Sequence, residues 1–578
     1  MRASKKIMIS SLLSAVLFLL VLSLVLGQIG QRSTGSEPET TAAPSEPTQV
    51  PTTVVTEPPH NWVTGYISSL NADASYCDED GEILGTLIRG TQIQYEITAE
   101  GQIAILLDDT IVYPGAETTV VEDPAEVIPT NNLFVRTTAN LRDAEGKLLE
   151  TLAQKGTGVT VTGYDYLLPD GSAHMYRISI EESEAEGYLP PWYLAGTQEE
   201  ALANFDDGSY AIHADRGNRY GGGGAADLDY YPREKGPIEG NEMPQECRAL
   251  YLVNWRLNEL DSYLEIAGNS GINAFVVDII DGGAVGYAAD VMNEYSPTSA
   301  ASANNTVEEY QAAIRRLREA GYYVIGRITA FNDTNFVLDH PECAISNAAG
   351  DSLRLSGAFW PSPFSRYAWQ YKVDLAVEAV ELMGFNEIQF DYVRFPTDTY
   401  RHERIGNIDY RNSYDETKAQ TIQRFLMYAA DILREHGAYV SADVFGESAY
   451  NYVTAYGQYW SAISNVVDVI SGMPYPDHFG ASGSWRPWEH PYDTLYSWGQ
   501  NVMVRQSETA TPAVVRTWIQ AYDSLQEPYL IYGPDQVAAQ IRALRATGCT
   551  GGYMTWNAGS SIDKYTRLIP AFDPPQGE

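Results

Sequence analysis

The chain has 578 residues and a formal net charge of −39, from 37 lysines and arginines against 76 aspartates and glutamates. The chain has more residues than ordinarily fold around one hydrophobic core, so several domains are expected. The negative field argues against nucleic acid as a partner and favours neutral or amino sugars over anionic polymers, while 40 Tyr and 11 Trp suit surfaces that stack on sugar rings.

The N-terminus predicts a membrane anchor. The basic segment MRASKK at residues 1–6 precedes an apolar run at residues 7–26, which is long enough to cross a bilayer. Residues 1–32 are therefore predicted to be a signal-anchor in the cell membrane, with a single pass and all later domains outside the cytoplasm. The alternative is a signal peptide that is cleaved, which would leave a secreted protein.

A Ser/Thr/Pro-rich stretch and an internal repeat follow. GEILGTLIRGT at 81–91 and GKLLETLAQKGT at 146–157 share glycines, Thr-Leu and a closing Gly-Thr, and short alternating strands surround each copy. Two small all-β modules are predicted. The predicted boundaries are 33–60 for a disordered stalk, 61–110 and 133–197 for the modules, and 111–132 and 198–246 for linkers.

The two modules resemble bacterial SH3-like domains of wall-associated proteins. The second copy carries the motif Asn140-Leu141-Arg142, whereas the first has Asn71-Ala72-Asp73 in its place. The resemblance implies two roles: binding of cell-wall peptides or glycans, or service as a β-barrel spacer.

Residues 247–572 repeat an amphipathic helix, a glycine and a short apolar strand, which predicts an α/β fold, a (β/α)8 TIM barrel. A doubly wound open sheet is the competing interpretation, but no glycine-rich phosphate loop follows the first strand. The eight predicted strands lie in RALYLVNW (248–255), NAFVVDI (273–279), YYVIGRI (322–328), EIQFDY (387–392), YVSADVF (439–445), VVDVISG (466–472), VVRTWIQAY (514–522) and GGYMTW (551–556).

In such barrels the active site lies at the carboxyl ends of the strands. Side-chain alternation predicts that Asp278, Asp391 and Asp443 point into one mouth. Clustered carboxylates keep one proton among them, as glycosidic bond cleavage requires. Alternation also selects residues that would bind the sugar, namely Arg327, Gln389, Trp518, Gln520 and Trp556. Arg394 and Tyr475 are added because they follow their strands closely enough to line the rim.

Neighbouring strands lie about 4.8 Å apart, so the carboxyls of Asp391 and Asp443 approach the spacing of about 5–5.5 Å that is typical of retaining enzymes. The alternative is that the side chains splay apart, which would give the wider spacing of inverting enzymes. A structural ion pair of Asp391 with Arg394 or Arg327 is the alternative interpretation. No metal or other cofactor is predicted, since the spacing of a calcium loop is absent.

Residues 247–570 resemble the bacterial "putative glycoside hydrolase domain" family. The motifs that carry this resemblance are NAFVVDI, YVIGRITAF, HPE, GFNEIQFDYVRFP, SADVFG, MPYP, WIQAY and GGYMTWN. It implies a barrel fold, an extracytoplasmic setting and sugar chemistry. The sequence departs from the family pattern at IDGG (280–283) and at GMPYP, where His478 takes the place of a usual histidine.

Roles follow for the candidate catalytic residues. Asp391 is predicted to be the nucleophile or stabilising carboxylate, and Asp443 the general acid/base. Asp278 is predicted to contact a sugar hydroxyl or to be a third catalytic residue. Glu447, on the loop after Asp443, is the alternative candidate for the general acid. The alternative function is a non-catalytic surface protein that binds cell wall or carbohydrate.

The cysteine positions suggest a disulfide that closes the barrel. Cys247 precedes the first strand and Cys549 precedes the eighth, and these strands are neighbours in a closed barrel. A disulfide between them is therefore compatible with the sequence.

Overall fold

The computed structural model describes residues 60–574 except for these gaps: 69–74, 80, 88–90, 99–100, 108–109, 117, 124–126, 128–131, 167, 169–171, 181–182, 184 and 204–221. The predicted signal-anchor and almost all of the predicted stalk lie outside the described residues. Within the described ranges, no helix is long and apolar enough to span a membrane.

Two all-β modules precede the barrel, and each forms a seven-stranded sheet of mostly antiparallel pairs. Module 1 (62–121) contains β1 Val63–Ile67, β2 Ser75–Cys77, β3 Ile83–Thr86, β4 Gln92–Ile97, β5 Ile103–Leu107, β6 Thr110–Pro114 and β7 Val120–Val121. Module 2 (132–195) contains β8 Asn132–Val135, β9 Ala139–Arg142, β10 Leu148–Ala153, β11 Gly158–Tyr164, β12 Tyr176–Ile180, β13 Glu186–Leu189 and β14 Leu194–Ala195. In module 1 the sheet continues through β6 and β7 into the segment predicted to be a linker, because TIVYP alternates well enough to pair with β5.

The C-terminal part of the chain forms a barrel-like parallel sheet. Its strands are β15 Cys247–Leu252, β16 Ala274–Asp281, β18 Tyr323–Thr329, β21 Glu387–Asp391, β22 Tyr439–Phe445, β23 Val469–Met473, β24 Val514–Val515, β25 Thr517–Gln520 and β26 Gly552–Trp556. The short strands β17 Ala284–Val285, β19 Arg354–Leu355 and β20 Ala358–Phe359 lie outside this ring.

The ring closes through one interrupted strand. β24 pairs with β23, and β25 pairs with β26, while only Arg516 separates β24 from β25. The eight strands predicted from the sequence are therefore confirmed, with the seventh divided in two.

Helices cover the outside of the barrel sheet, and one packs against module 2. The α-helices are α1 Gln198–Leu202, α2 Leu260–Gly268, α3 Asp290–Tyr295, α4 Pro297–Ala300, α5 Val307–Glu319, α6 Thr334–Asp339, α7 Arg366–Met383, α8 Tyr400–Arg404, α9 Lys418–Glu435, α10 Trp460–Ser464, α11 Pro491–Ser507, α12 Pro534–Thr547 and α13 Ile562–Leu568. Helix α1 packs against β8 and β14 of module 2. Helix α5 begins with a capping box between Thr306 and Glu309. Helices α7 and α12 end at Gly384 and Gly548, both left-handed, as their position before a strand predicts.

Alternating side chains divide the barrel into an inner and an outer core. Cys247, Ala249 and Tyr251 belong to the inner cluster, whereas Leu250 and Leu252 pack outward against the helices. This division explains why the disulfide suggested by the sequence is wrong. All four cysteines are free, because Cys247 faces the interior while Cys549 packs in the outer core.

Residues 222–246, here called the strap, differ from the predicted linker. The first part packs against helices α9 and α10, where Leu228 and Tyr230 share a cluster with Ala419 and Ala462. The last part reaches the amino-terminal end of the barrel, where Ile238 and Met243 contact the inner cluster. The Lys235 ammonium donates to the backbone oxygens of Ser464 and Thr511, both at 2.5 Å. Polar side chains thus attach the strap to the barrel through backbone groups, which a search for apolar periodicity does not detect.

Module 2, the strap and the barrel meet at a buried carboxylate, Asp431 of helix α9. One oxygen accepts hydrogen bonds from Arg142 (2.6 Å) and the Tyr193 hydroxyl (2.9 Å). The other accepts from Arg233 (2.7 Å) and Trp192 (3.2 Å). Arg142 belongs to the Asn-Leu-Arg motif, so this part of module 2 faces the barrel.

We expect Arg142→Ala to lower the free energy of unfolding by about 1.5–3 kcal/mol, since it removes a charged hydrogen bond from a buried carboxylate. Chemical denaturation measures the change. Arg177→Ala is the matched control, because the Arg177–Glu186 pair (2.6 Å) lies in the same module with side chains about half exposed, and solvent screening makes its contribution to stability small. Equal losses in the two variants would contradict a stabilising junction.

Candidate active site

Arg327 of β18 lies at the centre of a carboxylate cluster inside the barrel. Its Nη1 donates to Asp278 Oδ1 at 2.7 Å, and its Nη2 and Nε donate to Asp391 Oδ2 at 2.5 and 3.2 Å. Its Nε also lies 4.0 Å from Asp443 Oδ2. The three carboxylates predicted from the sequence are therefore together, and one guanidinium joins them.

Sheet register explains this convergence. Strands β16, β18, β21 and β22 are consecutive neighbours in the parallel sheet. Asp278 pairs directly with Arg327, and Asp391 pairs with Thr329, two residues beyond Arg327. Since residues two apart share a face, all of these side chains point into the barrel.

Asp443 is completely buried and holds its proton strongly. Its Oδ1 accepts a hydrogen bond from Trp518 Nε1 at 2.7 Å, whereas no donor among the described residues reaches its Oδ2. Burial and the charge of Asp391 raise the pKa of Asp443 well above its ordinary value, and Arg327 and the Trp518 bond only partly oppose them. Asp443 is therefore the protonated carboxyl of the cluster.

Asp278 is also fully buried. It accepts hydrogen bonds from Arg327 and from the Tyr251 hydroxyl. Burial raises the pKa of Asp278 to about 7, with a contribution from the charge of Asp281, against the lowering effect of Arg327.

Asp391 differs from these two carboxyls because it retains 7% exposure, whereas Asp278 and Asp443 have none. Its Oδ1 accepts a hydrogen bond from the backbone N–H of Tyr392 at 2.6 Å. Tyr392 has a φ of 49°, which is unfavourable for a residue with a side chain and is found most often at functional sites. The end of β21 is thus held in a strained turn that presents Asp391 to the mouth.

Aromatic rings surround the cluster. Trp518 and Trp556 meet edge to face with centroids 5.6 Å apart, and Tyr251 lies 4.7 Å from Trp556. Tyr475 and Trp518 are buried, while Trp556 is half-buried. Trp556 is therefore the predicted ring with a surface that remains accessible to a sugar.

Four polar residues predicted to bind sugar hydroxyls are instead engaged inside the protein. Arg327 is 1% exposed and directs its donors to carboxylates. Gln389 donates to Ser471 Oγ (3.4 Å), and Gln520 donates to the backbone oxygen of Tyr522 (3.3 Å). Arg394 is buried beside the Phe445 ring (4.5 Å) and donates to the backbone oxygen of Phe395. Alternation predicts the direction of Arg327, Gln389 and Gln520 correctly but not their depth in the barrel.

Glu447 does not join the cluster. It accepts hydrogen bonds from the hydroxyls of Tyr452 (2.9 Å) and Tyr456 (3.0 Å) on its own loop. These two hydrogen bonds hold it on its own loop, and its assignment as the alternative general acid stays a prediction.

Sequence reasoning missed two members of the site, Tyr251 and Asp281. Tyr251 follows from the same alternation, because it lies two residues after Ala249 on the first strand. Asp281 lies 3.6 Å from Arg327 Nη1, although alternation from Asp278 places it on the opposite face. In the described part of the chain, no three His, Cys, Asp or Glu side chains form a group suited to a metal ion.

A cavity of about 1170 Å³ lies elsewhere in the molecule, between module 2 and helices α3, α7 and α9. Its walls include Arg142, His174, Asp374 and Glu435, and it contains none of the carboxylates around Arg327. The site is therefore assigned from its chemistry rather than from cavity size.

Residues 249–562, more than half of the chain, match the family described as "Putative glycosyl hydrolase domain". The chain belongs to this family. The resemblance of this region to a glycosyl hydrolase domain family is thus confirmed. No curated protein matches the chain.

Three solved structures illustrate the similarity of this glycosyl hydrolase family member to other proteins. A hypothetical protein from Ruminiclostridium thermocellum is 32% identical over 34% of this chain and 97% of its own, with a TM-score of 0.28. The PgaB (BpsB) glycoside hydrolase domain from Bordetella bronchiseptica is 12% identical over 56% of this chain and 99% of its own, with a TM-score of 0.40. A class V chitinase from Pseudomonas fluorescens is 11% identical over 56% of this chain and 99% of its own, with a TM-score of 0.36. With TM-scores below 0.5, these similarities do not establish a shared activity.

Burial of Asp443 makes the stability of the folded protein depend on pH. The pKa of Asp443 is higher in the folded than in the unfolded protein, so its contribution to stability is present at low pH and is lost as pH rises through the folded pKa. Each unit of pKa elevation corresponds to about 1.4 kcal/mol. We therefore expect the Tm of Asp443→Asn to increase relative to that of the wild type as pH rises above about 4, the ordinary pKa of an aspartate.

Differential scanning calorimetry at several pH values measures this difference. Asp523→Asn is the control, since Asp523 pairs with Lys564 at an exposed position. A Tm difference between Asp443→Asn and the wild type that is constant with pH would show that the carboxyl is not protonated in the folded protein.

Proposed function

We propose that this protein is a glycoside hydrolase that cleaves glycosidic bonds of a cell-wall or environmental polysaccharide by carboxylate acid/base chemistry. The observation that carries the proposal is that Asp391 and Asp443, on the adjacent strands β21 and β22, lie in different environments. Asp443 is buried and protonated, while Asp391 is partly exposed and bonded to Arg327. A buried carboxyl with a raised pKa suits the general acid, and a carboxylate held by a cation suits the nucleophile or stabilising role.

In this mechanism Asp443 supplies the proton for the leaving oxygen, and Asp391 is the nucleophile or stabilises the positive charge on the sugar. Arg327 holds Asp391 Oδ2 through two donors, and the Tyr392 N–H holds Oδ1, so the carboxylate is fixed in orientation. Because Asp443 has no exposed surface, proton delivery requires the side chains around it to shift when the sugar binds.

The substrate class follows from charge and aromatic surface. A net charge of −39 favours neutral or amino sugars. Besides Trp556, the exposed rings of Trp255 (48%) and Trp485 (42%) lie on loops that follow β15 and β23, at the same end of the barrel as Asp391. Exposed tryptophans on one face suit the stacking of successive pyranose rings.

We further propose that the hydrolase acts at the cell surface. The basic and apolar pattern of residues 1–32 supports a single-pass anchor with the barrel outside the cytoplasm, and cleavage with secretion is the alternative. Cell-wall binding by the β-modules fits module 1 better than module 2, since the Asn-Leu-Arg motif of module 2 contacts the barrel.

Asp391→Asn tests the catalytic assignment. We expect the variant to lose release of reducing ends from a panel of bacterial wall and plant polysaccharides, because the amide is a poor nucleophile and cannot carry the compensating charge. Asp443→Asn should lower kcat by about 10²–10⁴, the usual contribution of a general acid. Asp523→Asn should hydrolyse the same substrates as the wild type.

Sugar binding without turnover in the wild type would reject the hydrolase and favour the alternative, a non-catalytic carbohydrate-binding surface protein. Glycan binding by Asp391→Asn, measured by calorimetry, separates these cases. A hydrolase variant binds but does not cleave a sugar that the wild type cleaves.

The geometry also predicts the stereochemistry. Asp391 Oδ2 and Asp443 Oδ2 both lie within 4.0 Å of Arg327 Nε, which favours the short carboxyl separation of retaining enzymes. Proton NMR of the first product should show the anomer of the substrate. Initial release of the opposite anomer would instead assign a water molecule as the nucleophile.

A further inference from the structure

The end of strand β16 carries two aspartates that contact the same guanidinium nitrogen. Asp278 Oδ1 lies 2.7 Å and Asp281 Oδ1 lies 3.6 Å from Arg327 Nη1. In a regular strand, residues three apart point to opposite faces. Their shared contact therefore requires an irregularity between them.

A β-bulge provides that irregularity. Asp278 pairs with Arg327, and Ile280 pairs with the next residue of β18, Ile328. Strand β16 therefore has one extra residue, Ile279, between the two pairs. A bulge of this kind redirects the side chains that follow it, and bulges are frequent beside active sites. Here the redirected side chain is Asp281, which turns from the outer core to the mouth.

The redirected carboxylate is held on a tight hairpin. Ile280 pairs with Val285 and Asp281 pairs with Ala284, across a two-residue Gly-Gly loop. Gly282 has a φ of 57°, and its N–H donates to Thr329 Oγ1 at 2.9 Å. The hairpin is thus bonded to the neighbouring strand β18, which fixes the position of Asp281.

Asp281 is the most exposed of the four carboxylates around Arg327. Its side chain is 36% exposed, against 10% for Asp391 and none for Asp278 and Asp443. Apart from the ion pair at 3.6 Å, no group in the described part of the chain donates a hydrogen bond to its carboxylate. An oriented acceptor with free capacity therefore faces the mouth beside Asp391.

We propose that Asp281 is a substrate-contacting residue that accepts hydrogen bonds from the sugar beside the cleaved bond. This inference rests on the proposed function. An ionised carboxylate is an acceptor only, so its partner is a donor, either a sugar hydroxyl or the ammonium group of an amino sugar. Four carboxylates around one guanidinium also disfavour sugars with acidic groups.

The test is Asp281→Asn, which keeps the shape of the side chain and removes its charge. The wild type, this variant and the control Asp523→Asn are assayed with soluble hexamers of glucose, N-acetylglucosamine and glucosamine, together with the polysaccharide panel. We expect KM to rise about tenfold to hundredfold in Asp281→Asn, with a smaller change in kcat. A rise confined to the glucosamine oligomer assigns the ammonium as partner, and a rise with the neutral oligomers assigns a hydroxyl.

Two further measurements separate substrate contact from a structural role. Tm of Asp281→Asn should match that of the wild type, because its carboxylate is partly exposed and makes one long ion pair. Affinity for the sugar is also measured in the Asp391→Asn background, where turnover does not interfere.

Each outcome decides between the proposals. If the wild type hydrolyses a sugar and Asp281→Asn keeps its KM and affinity, the contact is rejected and the hydrolase stands. If the wild type binds a sugar but hydrolyses none, the hydrolase is rejected. The contact is then judged from affinity alone, and it requires Asp281→Asn to bind the sugar more weakly than the wild type. If no sugar is bound or cleaved, both proposals are rejected.

Discussion

The interior of the barrel depends on one guanidinium placed among carboxylates. Asp278, Asp391 and Asp443 converge because their strands are adjacent, and without Arg327 their burial would carry a large desolvation penalty. A similar pair lies lower in the barrel, where Arg516 donates to both oxygens of Glu387 at 2.7 and 2.9 Å. The polar core of this protein therefore consists of two layers, each built around one arginine.

The upper layer is not fully compensated, and this imbalance is chemically useful. Arg327 donates to Asp278 and Asp391 but remains 4.0 Å from Asp443. The carboxyl that receives no ionic hydrogen bond is the one whose pKa rises most clearly. Burial is the largest cause of the raised pKa of both Asp278 and Asp443, and a hydrogen bond from Arg327 opposes it directly only at Asp278.

Much of the fold could be predicted because buried parallel strands appear in the sequence as apolar runs after a glycine that ends a helix. Gly384 before β21 and Gly548 before β26 are examples. The strap could not be predicted, since residues such as Lys235 attach it through hydrogen bonds to backbone oxygens.

The site was predicted in part for a related reason. Alternation assigns the face of a residue, which placed the three aspartates correctly. It does not assign depth, so Arg327 and Gln389 were expected at the surface of the mouth although both are buried. Alternation also fails after a β-bulge, where one strand has an extra residue. For this reason the sequence did not indicate that Asp281 belongs to the site.

The distribution of cysteines has a practical consequence for labelling. Burial raises the pKa of both Cys247 and Cys549 to about 11 and also raises the pKa of Cys343, so these thiols are protonated and shielded at neutral pH. Cys77 in module 1 is half-buried instead. A maleimide dye should therefore react at one position in the native protein without any engineered cysteine. Fluorescence from that dye would report on module 1 separately from the tryptophans of the barrel.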